Sequence, residues 1–274
     1  MLHYKTFQKH TEAPWVVMLH GAGGSSEVWY RQVGDFSRHY NLLLIDLVGH
    51  GESSVLQILN KHFDFETAAE QVMEVVDHLN IRKAHYMGLS LGSIVVRVLA
   101  ELHPERVESM VLAGAVTELS WESRVLLRVA DCTKHIVPYR LLKWFIAKAI
   151  IPQRRYGHSM QLFLRNAKRL SFDNFLRWLT LGDQLNSRIK RLFAEHIAIP
   201  TLYFMGQDVY LFLPQVQLVA AQAGQWASMV IVPEAGHVCN VDNKRFFNRV
   251  SLDFLRRLCS SNTTQSLAYS TNFK

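Results

Sequence analysis

Cysteine is scarce in this chain. There are three in 274 residues, Cys132, Cys239 and Cys259, far apart, odd in number and without a C-x-x-C pair. That excludes a disulfide framework and leaves no cysteine cluster for a zinc site, so reduced thiols and a cytoplasmic location are expected. Long apolar runs are missing as well. The most apolar stretch, residues 141–151, is broken by Lys143 and Lys148 and is too short and too charged to span a bilayer. The first six residues carry no apolar run behind a basic start, so no secretory leader is expected. No G-x-G-x-x-G spacing occurs, which argues against a dinucleotide loop, and no repeat is visible.

Charge is present but unevenly placed. The net charge is +7, yet residues 117–199 hold 15 Lys and Arg against 6 Asp and Glu, and the remaining residues 15 against 17. The excess belongs to one segment. No nucleic-acid-binding module accompanies it, and no nucleic-acid partner is expected.

Six short apolar runs, at residues 15–19, 41–46, 84–88, 107–113, 201–205 and 228–232, suit strands buried on both faces. Helical spacing fills 67–79, 93–103 and 246–258 between or after them. Alternation of this kind predicts an α/β fold, a mostly parallel sheet with helices on both faces. It breaks between 117 and 199, where helical stretches rich in Leu, Arg, Lys, Trp and Phe are punctuated by Pro138 and Pro152. The expected organisation is a core of residues 1–116 and 200–258, a helical insertion at 117–199 lying over the sheet, and a polar tail at 259–274 without order.

Gly88-Leu89-Ser90-Leu91-Gly92 follows one predicted strand and precedes a helix. A sharp turn between the two crowds the backbone, demands small neighbours and lifts the serine hydroxyl out of the sheet at a helix N-terminus. Ser90 is thus a candidate nucleophile. His20-Gly21-Ala22-Gly23-Gly24 follows the first buried strand, where glycines let backbone N–H groups face a cavity. The N–H groups of Ala22 and Leu91 are the candidate donors to an oxyanion. Gly236-His237 follows the last strand and brings a candidate general base to the sheet edge that carries Ser90.

Together these motifs, with Asp46-Leu47-Val48-Gly49-His50-Gly51-Glu52-Ser53, resemble the α/β-hydrolase superfamily over residues 15–258. The resemblance implies a Ser–acid–His order along the chain, a helical cap at 117–199 and a structural turn at 46–53. In related hydrolases the acid sits three residues after the glycine that closes the strand before the last. Here that glycine is Gly206 and the third residue is Val209, with Asp208 one place early. Asp208 after a loop adjustment, Glu118 beyond the preceding strand, or no acid are the three alternatives. A serine rather than an aspartate nucleophile implies acyl transfer, without a metal or other cofactor.

The expected partner is a small ester-like molecule, apolar and with an anionic group attracted by the basic segment. A basic amphipathic helix resting on an anionic membrane is a second reading of residues 141–151, and a helix packed on the core with its lysines in water a third. For function, hydrolysis of a carboxylic ester, thioester or lactone leads. C–C hydrolysis or elimination on a carboxylated substrate, and a non-enzymatic sensor that keeps the pocket, are the rivals.

Overall fold

Valine, leucine and isoleucine fill the strands because both sheet faces are covered. The computed structural model describes residues 1–55, 63–133, 136–138, 141, 144–145, 148, 156–166, 174, 177–178, 181, 186–209 and 212–260. Strands β1 (Tyr4–Phe7), β2 (Trp15–Leu19), β3 (Asn41–Ile45), β4 (Ala84–Leu89), β5 (Val107–Ala113), β6 (Thr201–Gly206) and β7 (Ala227–Val232) form one sheet in the order β1-β3-β2-β4-β5-β6-β7. All pairs are parallel except β1 with β3. The sheet is the mostly parallel one expected, with the antiparallel β1 added at its edge.

Successive residues of a strand point to opposite faces, and the core divides accordingly. Val17, Leu19, Leu43, Ile45 and Tyr86 pack with helices α2 (Phe65–His78) and α3 (Leu91–Leu102). Val16, Met18, Leu42, Leu44 and Met87 pack on the other side with α1 (Tyr30–Phe36) and a C-terminal helix, residues Lys244–Ser260. Asp64 starts α2 by accepting a hydrogen bond from the Thr67 N–H at 2.7 Å, an N-cap of the kind worth about 1 kcal/mol. The C-terminal helix runs two residues beyond the expected core boundary at 258, while 261–274 lie outside the described residues.

Between β5 and β6 the described residues form helices and no strand: α4 (Trp121–Thr133), α5 (Gly157–Asn166) and α6 (Asn186–Ala194). Most of 141–151 lies outside the described residues. Among the contacts that tie the described part of the insertion to the core, two involve α2 and its surroundings. Trp178 is buried against His50, Phe63 and Phe65, and its indole N–H donates to the Val48 carbonyl at 3.1 Å. Arg188 of α6 pairs with Glu66 of α2 and Glu101 of α3 at 3.2 and 2.5 Å. Beyond β6 come α7 (Leu213–Gln222), then α8 (Cys239–Asp242) and the C-terminal helix as α9.

Parallel registry fixes the site. Leu19 stands opposite Gly88, so the chain leaves β2 and β4 side by side at their carboxyl ends. Gly206 stands opposite Val232, which brings the chain after β6 and after β7 to the same edge.

Candidate active site

Ser90 sits in the turn between β4 and α3 with φ 52° and ψ −114°, one of three non-glycine residues with positive φ among those described. Such backbone costs about 1–3 kcal/mol and persists only where the surroundings enforce it. Its N–H is held by the Ala113 carbonyl at 2.9 Å, and its own carbonyl accepts from the Ser93 hydroxyl at 2.6 Å. The flanking glycines are required sterically. A methyl on Gly88 would stand 2.7 Å from the Ser93 nitrogen, and one on Gly92 would stand 2.8 Å from the His20 carbonyl oxygen.

His237 follows β7 and places its Nε2 2.9 Å from the Ser90 hydroxyl oxygen. The two residues are 147 apart in the chain, and the sheet edge alone brings them together. His237 is 6% exposed, and burial lowers its pKa to about 4. Its imidazole is therefore neutral at pH 7 and able to accept a proton. The Phe212 ring lies 5.6 Å from it, centroid to centroid.

The expected hydrogen bond between Asp208 and His237 is not formed. The Tyr156 hydroxyl donates to the Asp208 carboxylate, and His237 Nδ1 is buried with no hydrogen-bond partner among the described residues. Val209, one position on, is buried in the apolar core. Glu118 is also elsewhere, with Lys190 3.3 Å from its carboxylate. Neither Asp208 nor Glu118, the two residues weighed for the acid position, hydrogen-bonds the imidazole.

The glycine-rich loop after β2 reaches Ser90: a Cβ on Gly21 would stand 3.1 Å from that of Ser90. In that loop Gly23 N–H donates to His50 Nε2 and Gly24 N–H to the Gly21 carbonyl, both at 3.0 Å. Among the described residues the N–H groups of Ala22 and Leu91 have no acceptor, and both residues lie beside Ser90. Leu91 is the first residue of α3, where the helix itself offers its N–H no partner.

Two buried histidines shape that loop. His20 Nδ1 donates to the Gly21 carbonyl at 2.8 Å, which leaves Nε2 to accept from Leu47 N–H at 3.0 Å. His50 Nδ1 donates to the Val48 carbonyl at 3.2 Å, which leaves Nε2 for Gly23. These roles demand neutral rings, and burial lowers both pKa values, that of His50 to about 3. Asp46 completes the frame by accepting from the N–H groups of Ser26 and Glu52 at 2.6 and 3.0 Å.

A cavity of about 70 Å³ opens beside Ser90 and His237. Its walls are mostly apolar: Val28, Leu89 and Val238 from the core, with Leu162 and Phe163 from α5. Ser159, Leu162, Phe163 and Asn166 of α5 all line it, at helical spacing i, i+3, i+4 and i+7. Sequence reading did not single these residues out. The spacing was visible, but which helix face looks onto the serine depends on how the insertion folds back.

Residues 14–244 match the alpha/beta hydrolase fold family. The chain belongs to that family. It is 24% identical over 251 residues to the 3-oxoadipate enol-lactonase 1 of Acinetobacter baylyi, covering 90% of each chain. It is 27% identical over 249 residues to the dihydrolipoyllysine-residue acetyltransferase component of the acetoin cleaving system of Pseudomonas putida. That match takes 88% of this chain and 63% of the relative, so this α/β hydrolase chain spans less than two thirds of that longer protein. The crystal structure of the enol-lactonase from Burkholderia xenovorans superposes with a TM-score of 0.73 at 23% identity, covering 93% of this chain and 96% of that one. A likeness at that identity speaks for the fold.

Proposed function

We propose that the protein is a serine hydrolase that cleaves small carboxylic esters, thioesters or lactones through an acyl-enzyme on Ser90. The observation that carries this reading is the 2.9 Å contact between His237 Nε2 and the Ser90 hydroxyl at a strained strand-to-helix turn. His237 removes the hydroxyl proton as Ser90 attacks the carbonyl carbon, and the proton passes to the leaving oxygen or sulfur. The Ala22 and Leu91 N–H groups receive the negative charge on the carbonyl oxygen. Water, deprotonated by His237, then releases the acid and restores the serine. A family relative named as a lactonase supports the reading. In the resting enzyme Ser90 and His237 work as a pair, with Asp208 held by Tyr156.

The cavity is well below the roughly 300–1,000 Å³ of pockets for drug-sized ligands, so the acyl group is small. Helix α5, within the insertion, acts as its lid and supplies one wall. Steady-state assays with p-nitrophenyl acetate, butyrate and laurate test this. Turnover of the two short esters and loss of the laurate is the expected pattern. Short esters turned over no faster than by a Ser90→Ala control would remove the proposal.

Two further expectations separate a pair from a triad. Asp208→Asn lowers kcat/KM by less than about tenfold, because its carboxylate is already engaged by Tyr156. A true triad acid would cost roughly 10⁴-fold on replacement. The pH profile gives the second. With His237 lowered to about 4, kcat/KM at pH 6.0 stays near its value at pH 8. An ordinary imidazole of pKa about 6.5 would retain about a quarter of it. Loss on that scale between pH 8 and 6 would show that a carboxylate supports the imidazole during turnover.

A further inference from the structure

The polar side chains lining the cavity at Ser90 are few: Ser90, His237, Ser159 and Asn166 among the described residues. Three are engaged. Ser90 and His237 contact each other, and the Ser159 hydroxyl donates to Asp242. Asn166, the last residue of α5, is 5% exposed, and its side chain has no hydrogen bond among the described residues, although both ends of its carboxamide can form one. Its carboxamide atoms are not among the fully buried unpartnered ones, so they are reached from the cavity and can pair with a group bound there. Asn166 opens onto the reaction cavity, so the missing partner is placed where the substrate binds.

We infer that Asn166 recognises a neutral polar group on the acyl part of the substrate, such as a ketone, amide or hydroxyl a few bonds from the scissile carbonyl. This inference rests on the hydrolase reading above and narrows its substrate class. Neutrality follows from the described lining. Among the described residues no Lys or Arg lines the cavity, and a carboxylate beside Leu162 and Phe163 would meet no counter-charge from them. Arg165, the residue before Asn166, is exposed and paired with Glu27 at 2.6 Å. On the described lining a neutral group fits the cavity better than the anionic one expected from the basic segment. The carboxamide can donate to a ketone or accept from a hydroxyl, whereas an aliphatic acyl chain leaves it dry.

Three p-nitrophenyl esters of similar length test the inference: pentanoate, 4-oxopentanoate and the hemisuccinate. The wild type is expected to hydrolyse the 4-oxopentanoate about tenfold faster in kcat/KM than the pentanoate, the scale of one buried hydrogen bond, and the hemisuccinate slowest. Asn166→Leu, similar in shape, is expected to bring the ratio of oxo-ester to plain-ester turnover to about one. Because the Asn166 side chain bonds nothing among the described residues, the thermal midpoint of the variant should not fall. Asn166→Ala provides the same reading if the leucine variant does not fold. Equal turnover of the oxo and plain esters by the wild type, or a parallel loss on both in the variants, would overturn the role of Asn166. A preference for the hemisuccinate would overturn the neutral class. Both results leave the hydrolase reading standing. No turnover of any ester above Ser90→Ala, together with no fluorophosphonate labelling, would remove that reading and this inference with it.

Discussion

Ser90→Ala is expected to lower kcat for p-nitrophenyl butyrate by about 10⁴-fold or more, with the fold intact. The substitution removes only the hydroxyl that meets His237 Nε2 at 2.9 Å. The strained backbone, the Ser93 brace and the glycine contacts remain, and alanine also relieves nothing that holds the turn. His237→Ala should cost a similar amount, because a hydroxyl without a base is a poor nucleophile near neutral pH. The double variant should be no worse than either single one, since both residues serve the same proton transfer. Steady-state kinetics on the three proteins measures this. Additive losses would mean that the two side chains act in separate steps. An active Ser90→Ala enzyme would place the chemistry at another residue.

The second large effect concerns stability in acid. His20, His50, His85 and His237 are buried and neutral, and burial lowers all four pKa values, to about 3 for His50 and about 4 for His85 and His237. In the unfolded chain the same imidazoles take up protons near pH 6.5. The stability they hold is therefore fully present above about pH 6.5 and is lost as the pH falls toward 4. Each group contributes on the order of 1.4 kcal/mol per pH unit across that window. Together they remove several kcal/mol by pH 5, a large share of the roughly 5–15 kcal/mol of a typical domain. Urea unfolding followed by circular dichroism at pH 7.5, 6.0 and 5.0 should show a steep fall in the midpoint. His50→Gln keeps an acceptor for Gly23 N–H without a titrating ring and should make that fall shallower. A midpoint that does not move between pH 7.5 and 5.0 would contradict the neutral assignment of the loop histidines.

The strands were legible because burial on both faces leaves an unbroken apolar run, as at residues 41–45 and 201–206, where every position is buried. β1 escaped notice for the opposite reason. Tyr4–Phe7 is a four-residue edge strand with no fully buried position, so its sequence carries little core signal. Helix α1 is seven residues long and contains Gly34, and α7 has no charged residue to mark a polar face. Neither presents a clear amphipathic stripe.

At the site, legibility followed the backbone. Ser90 and the loop at Gly21 are placed by glycines whose spacing reflects steric need, and His237 by its position after the last strand. Asp208 shows where such reasoning stops. Counting from Gly206 places a carboxylate near the right edge of the sheet but says nothing of which neighbour it meets. Tyr156 meets it from an insertion whose path depends on anchors such as Trp178 on Val48. Asn166 was hidden in the same way, as one polar residue on a helix whose inward face is set by packing. His20 and His50 read as parts of glycine motifs, yet each ring bridges two backbone segments and fixes the loop that carries the Ala22 N–H.

Fluorophosphonate labelling, followed by intact mass and peptide mapping, addresses the activated serine most directly, because the probe needs no knowledge of the natural substrate. A single adduct on Ser90, formed in the wild type and lost in His237→Ala, is the predicted result. No adduct, or one on a serine other than Ser90, would contradict the account.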